Sequence, residues 1–252
     1  MNKLGFAFAP LLLVTLAACA APTDALDKQE SVALQHDALG GGSNISCVLT
    51  PVNLNTAAPF AVLAGSTVTN TGFTTVIGNL GISPGTAVTG FGPGTVVGVQ
   101  HLGDPTAAQA EADLTVAYND AAGRTLCPVS IAGNLGGLTL TPGLYKSTSG
   151  LEVSSGDLTL DAQGNANAVF IFQMATTLTT TSGRHVLLTN GAQAANVFWQ
   201  VGSSATLGTT TIFSGNIIAY QAITLQTGAT LDGRALARVA AVAMDTNTVI
   251  RP

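Results

Sequence analysis

Four short stretches near the C-terminal end decide how this chain folds: Leu178-Thr179-Thr180-Thr181-Ser182, Leu207-Gly208-Thr209-Thr210-Thr211, Leu225-Gln226-Thr227-Gly228-Ala229-Thr230 and Met244-Asp245-Thr246-Asn247-Thr248. Each runs from an apolar residue through one spacer into a small polar run, whose first residue is Thr180, Thr209, Thr227 or Thr246. The last three of these threonines lie 18 and 19 residues apart. Repeats of that length indicate a chain winding into stacked coils. Stacking sets equivalent residues about 4.8 Å apart, and residues i and i+2 of a strand share a face. The expected product is a grid of threonine side chains without charge, suited to an extended, regular target rather than a small molecule.

Composition agrees with many short strands. Of the 252 residues, 46% are hydrophobic, 8% are charged and 29 are glycine, which excludes a disordered chain. A net charge of −5 provides no basic patch, so no nucleic-acid partner is expected.

Asn2 and Lys3 followed by the apolar run from Phe6 to Leu16 read as an export signal over residues 1–18. The run is too short for a permanent span. Leu16-Ala17-Ala18-Cys19 has the form of a lipobox, which makes Cys19 the lipidation site and the only expected link to a membrane. The protein is then exported, and either anchored to the cell envelope or secreted. Three cysteines are odd in number; with Cys19 lipidated, Cys47 and Cys127 remain to form a disulfide. Residues 19–45, which include Gly40-Gly41-Gly42-Ser43, read as a tether, and residues 46–252 as one solenoid domain. Within the domain the expected helix spans about 104–123, with Asp104 as cap, Pro105 at the first turn and Gly123 at the end. Ala107, Ala110, Leu114, Ala117, Tyr118 and Ala121 form its apolar stripe, which should lie along the flank of a sheet. The runs Val169-Phe170-Ile171-Phe172-Gln173 and Asn196-Val197-Phe198-Trp199-Gln200 read as buried walls, with Trp199 in the core.

Catalytic and metal chemistry find little to use. His36, His101 and His185 are not at ligand spacing, and Asp161-Ala162-Gln163-Gly164 has too few carboxylates for a calcium loop. Glu152, Asp157 and Asp161 are near in sequence, yet strand edges and turns explain them as well as a catalytic pair would. Strand residues follow Gly90-Phe91-Gly92-Pro93-Gly94, so it is no phosphate cradle. No catalytic residue, metal or cofactor is expected.

Phe60-Ala61-Val62-Leu63-Ala64-Gly65-Ser66-Thr67-Val68-Thr69-Asn70-Thr71-Gly72, Gly78-Asn79-Leu80-Gly81-Ile82-Ser83-Pro84-Gly85, the segment Asn196 to Thr209 and Asp232-Gly233-Arg234-Ala235-Leu236-Ala237-Arg238 together resemble the microbial ice-binding proteins. The resemblance runs from about residue 47 to the end, in the family's order. It implies a mostly β protein, an irregular right-handed β-helix (solenoid) of roughly triangular section with one long helix alongside. It also implies a monomer whose partner is the ice crystal surface. The family's pattern, Thr-Ala/Gly-X-Thr/Asn, is met by Thr86-Ala87-Val88-Thr89 and Thr227-Gly228-Ala229-Thr230. Thr209-Thr210-Thr211-Ile212 and Thr180-Thr181-Ser182-Gly183 depart from it. The expected ice-contacting residues are therefore Thr180, Ser182, Thr209, Thr211, Thr227, Ala229, Thr230, Thr246 and Thr248. The alternative is a surface adhesion or structural solenoid without ice activity.

Overall fold

Alternation of small polar and branched apolar residues, interrupted every few positions by glycine, makes strands too short to stand alone and turns tight enough to stack them. In the computed structural model, which describes residues 47–252, the chain winds through coils whose strands pair only in parallel, joining three sheet surfaces around one core. The signal segment, Cys19 and the tether lie outside the described residues. No helix among the described residues is long and apolar enough to cross a membrane.

One surface is an eight-strand sheet, in spatial order Ala87–Thr89, Thr67–Thr71, Val242–Asp245, Ile223–Leu225, Ala205–Leu207, Leu178–Thr180, Leu151–Val153 and Gly133–Asn134. The order is not that of the chain. The first coils form one end, the helix Pro105–Gly123 carries the chain away, and later coils wind back until Val242–Asp245 pairs with Thr67–Thr71. At 19 residues the helix is roughly 28 Å long, enough to run past about six stacked strands.

A second surface lies under the helix. Phe60–Ala64, Phe170–Met174 and Val197–Val201 are buried at every position, because their inner side chains fill the solenoid and their outer ones meet the helix. Ala107, Ala110, Leu114, Ala117 and Ala121 form the buried stripe, and four alanines in five let the helix approach closely. Its ends are tied. The Asp104 carboxylate accepts from the Ala107 amide at 2.8 Å, and the Gln173 amide group donates to the carbonyls of Ala121 and Arg124. The Asp113 carboxylate accepts from both the amide and hydroxyl of Thr56, which holds its pKa below the usual range. Cys47 and Cys127 form a disulfide that closes a span of 80 residues, tying the start of the domain to the segment after the helix.

Inside, Tyr145, Phe172 and Trp199 occupy one register position on adjacent strands and stack, with ring centroids 5.2 and 4.0 Å apart. Phe213 tilts against Trp199 at 5.0 Å. Trp199 is fully buried, and its indole N–H donates to the Ser214 carbonyl at 3.1 Å. A third surface is formed by Thr95–Val97, Thr75–Ile77, Thr248–Ile250 and the first halves of two long strands, Thr230–Ala237 and Ile212–Ala219, continued by Val186–Thr189, Leu158–Asp161 and Thr139–Leu140. The long strands bend from it onto the helix side at Gly233 and Gly215. Gly215 has φ +115°, and a side chain there would meet Val197 and Trp199.

One charge under the helix has a measurable consequence. Burial pushes the Glu111 carboxyl up to about 8, against the opposing pull of Arg238, and neither oxygen has a hydrogen-bond partner among the described residues. Folding is therefore linked to protonation: as pH rises from the unfolded value, 4.5, through about 8, the folded state loses stability relative to the unfolded one. Glu111→Gln removes the linkage. Thermal melts should show the variant equal to the parent near pH 4 and more stable above pH 8, by on the order of 5 kcal/mol at most.

Candidate functional site

Six inner strands of the eight-strand sheet bury the residues on either side of a half-exposed one that faces outward, and at the edge strand Ala87–Thr89 the same phase puts Val88 inward and Ala87 and Thr89 outward. The triplets Leu178-Thr179-Thr180, Ala205-Thr206-Leu207 and Ile223-Thr224-Leu225 all have buried outer members and a half-exposed centre. Carried across the sheet by strict register, the outward positions form one column: Thr89, Thr69, Ala243, Thr224, Thr206, Thr179, Glu152 and Asn134. Six neighbouring strands thus present five threonines and one alanine before a charge appears at Glu152 on the seventh.

Two residues earlier runs a parallel column of small side chains: Ala87, Thr67, Ala241, Ala222, Ser204, Thr177 and Gly150. Backbone bonds carry the pairing into it, with the amides of Leu178, Ala205 and Ile223 donating to the carbonyls of Ser204, Ala222 and Ala241. The two columns make a lattice of about 4.8 Å between strands and about 6.7 Å along them. Thr86-Ala87-Val88-Thr89, quoted above for its pattern, is one row of it. Thr176-Thr177-Leu178-Thr179, Ser203-Ser204-Ala205-Thr206 and Gln221-Ala222-Ile223-Thr224 are further rows in the same frame.

The residues expected from sequence fall elsewhere. Thr180 is 7% exposed and points inward, with its hydroxyl 2.8 Å from that of Thr211 and accepting from the Gly208 amide at 2.8 Å. Thr211 and Ala229 have no exposed surface. None of these three can touch a solid surface, which corrects the expectation for them. The reason is the period of two: Leu178 faces the core, so Thr180, two residues on, does too. Thr209, Thr227 and Thr246 lie on the corner after the sheet, where Thr246 has φ +54° and the Thr227 hydroxyl donates to Asp245. Ser182 is exposed in a turn of the same corner. Asn247 fills the inside of this corner: its side-chain amide donates to the carbonyls of Gln226 and Ala229 at 2.8 and 3.0 Å. Thr230 and Thr248 pair with each other on the third surface. The expected ladder is thus split between an interior, a corner and a second outward face. Thr69, Thr179, Thr206 and Thr224 were missed, although their signal, threonine between two inward residues, is present in the sequence.

The carboxylates weighed for catalysis do not converge. Glu152 sits in the threonine column. Asp157 lies on the third surface near Arg184 and His185, and Asp161 holds a turn by accepting from the Gln163 amide and the Asn190 side chain. Among the described residues no three His, Cys, Asp or Glu side chains gather as a metal site.

Known proteins share both the sequence and this architecture. Residues 62–250 match the family model described as Ice-binding-like. An ice-binding protein of Nostoc sp. (strain HG1) is 52% identical over 199 residues, covering 78% of this chain and 72% of that protein. An ice-binding protein of Flavobacterium frigoris (strain PS1) is 38% identical over 245 residues, covering 91% and 86%. Among solved structures, an ice-binding protein from an Antarctic biological consortium superposes with a TM-score of 0.80 at 59% identity, over 81% of this chain and 93% of that one. One from the Antarctic ascomycete Antarctomyces psychrotrophicus gives 0.75 at 44% identity, over 80% and 98%. On the strength of the matched span and these identities, this chain belongs to the Ice-binding-like family.

Proposed function

We propose that this protein binds ice, without catalysis, through the outward columns of the eight-strand sheet. The observation that carries the proposal is the in-register run Thr89, Thr69, Ala243, Thr224, Thr206 and Thr179, flanked by a column of Ala, Ser and Thr. A threonine holds its methyl and hydroxyl on one stiff stem, so neighbouring methyls can order water that neighbouring hydroxyls anchor. Each contact is weak. Parallel pairing on both sides of every strand but the two at the edges fixes the lattice in advance, so many contacts form with little ordering cost. Bound molecules then force ice to advance as curved fronts between them, which lowers its freezing point and slows recrystallisation.

The finer parts of the reading follow the sequence: export, a lipid at Cys19 or release from the cell, and action as a monomer. Thermal hysteresis and recrystallisation inhibition test the function directly. Hysteresis with faceted crystals supports it. Ice growth indistinguishable from that in albumin at equal concentration sinks it and leaves the adhesion module, for which glycan binding is the readout.

A further inference from the structure

The third surface carries a second ladder that the proposal above does not use. Thr95, Thr75, Thr248 and Thr230 stand opposite one another on four adjacent parallel strands. Two residues on, Val97, Ile77 and Ile250 form an adjoining row, and they are 57%, 40% and 37% exposed. Between the rows, Val76, Val249 and Leu231 are fully buried, so these strands are anchored from below. The row ends at Asp232, and the threonine ladder ends at Ile212, beyond which stands His185.

These four strands belong to the same coils as the Thr89, Thr69, Ala243 and Thr224 positions of the eight-strand sheet, one corner away. We propose that this threonine–aliphatic patch is a second ice-contacting surface, set at an angle to the first, so that the protein engages two sets of ice planes. The inference rests on the ice reading of the eight-strand sheet.

Three features favour ice as the occupant. The patch repeats with the same lattice, about 4.8 Å across strands, as the proposed main surface. Exposed methyls and hydroxyls alternate on rigid, paired backbone, and no charge interrupts the first three strands. Its extent is small. Four strands by two outward positions cover roughly 20 by 10 Å, well below the about 800 Å² per partner of a stable protein interface. A patch too small to hold a second copy still adds contacts to a molecule already bound to ice.

Fluorescently labelled protein adsorbed to a single-crystal ice hemisphere reads the planes bound. The parent should mark two sets of planes. Thr248→Tyr should erase one set, with lower hysteresis and an unchanged melting temperature, and Ile77→Lys, at an exposed position, should do the same if Tyr disturbs folding. Thr206→Tyr should erase the other set. A parent that marks only planes erased by Thr206→Tyr, with Thr248→Tyr and Ile77→Lys unaltered, overturns the second surface and spares the first. A parent that marks no plane overturns both. A parent that dimerises in sedimentation, and whose Ile77→Lys form is monomeric with full hysteresis, makes the patch a contact between copies and also overturns the proposal.

Discussion

Replacing Thr206 by tyrosine should remove most of the thermal hysteresis while leaving the fold as stable as before. Thr206 sits in the middle of the outward column, in register with Thr179 on one side and Thr224 on the other. Its side chain is half-exposed and takes no part in the core, so the change should cost within about 0.5 kcal/mol of stability. A phenol ring standing above two rows of methyls holds the ice front away from neighbours that are themselves intact. The loss should therefore exceed one threonine's share. Thr180→Val is the matching control. It removes the hydroxyl that contacts Thr211 and accepts from Gly208 inside the corner. The unpaired polar groups left behind should lower stability by about 1–3 kcal/mol, with hysteresis unchanged wherever the variant is folded. Thermal melts and hysteresis measured on both variants decide the matter. If Thr180→Val loses hysteresis while Thr206→Tyr keeps it, the outward column is not the ice-binding surface.

That pair of residues also shows what could be read in the sequence and what could not. The repeat of 18 to 19 residues is a property of spacing, and it carries directly into parallel stacked strands. The helix cap at Asp104 and its partner Ala107 are local, and so is the spacing of the alanine stripe, although the strands it packs on lie far along the chain. Which member of Leu178-Thr179-Thr180 faces outward is also local in principle, because Leu178 fixes the phase. The run of threonines hides it, since every position is polar and only the burial of the leucine breaks the tie. Corners are harder. Leu225 to Thr230 takes one residue more than Met244 to Thr248, although both ends of the two segments pair in register. The extra residue is absorbed at a turn whose inside is filled by Asn247 from one coil bonding to Gln226 and Ala229 of the next. Nothing within either segment alone shows this, so a ladder drawn by counting along the chain crosses from a sheet to a corner without notice. The spatial order of coils is equally hidden. The last coil pairs with the first because the helix has carried the middle of the chain to the far end.

Trp199→Ala should be the costliest single change to the fold, and it should leave ice binding near 0 °C in place. The ring is fully buried at the centre of an aromatic stack, 4.0 Å from Phe172 and 5.0 Å from Phe213, and its N–H serves the Ser214 carbonyl. Truncation leaves a cavity between coils and an unpaired carbonyl, a loss of about 3–5 kcal/mol. Against a usual total of about 5–15 kcal/mol this is a large fraction, and for a domain of this size it lowers the melting temperature by roughly 10 °C or more. Trp199→Phe keeps the stack and gives up the hydrogen bond, so it should cost much less. The cavity opens on the interior side of the helix-facing wall, while the threonine columns hang on the strands of another sheet, held by their own parallel pairing. In the cold, where the weakened variant is still folded, its lattice is complete and its hysteresis should match the parent's. A variant that stays folded in the cold but has lost hysteresis would mean that the packing of the core sets the spacing of the threonines, and that rigidity as well as composition makes the surface.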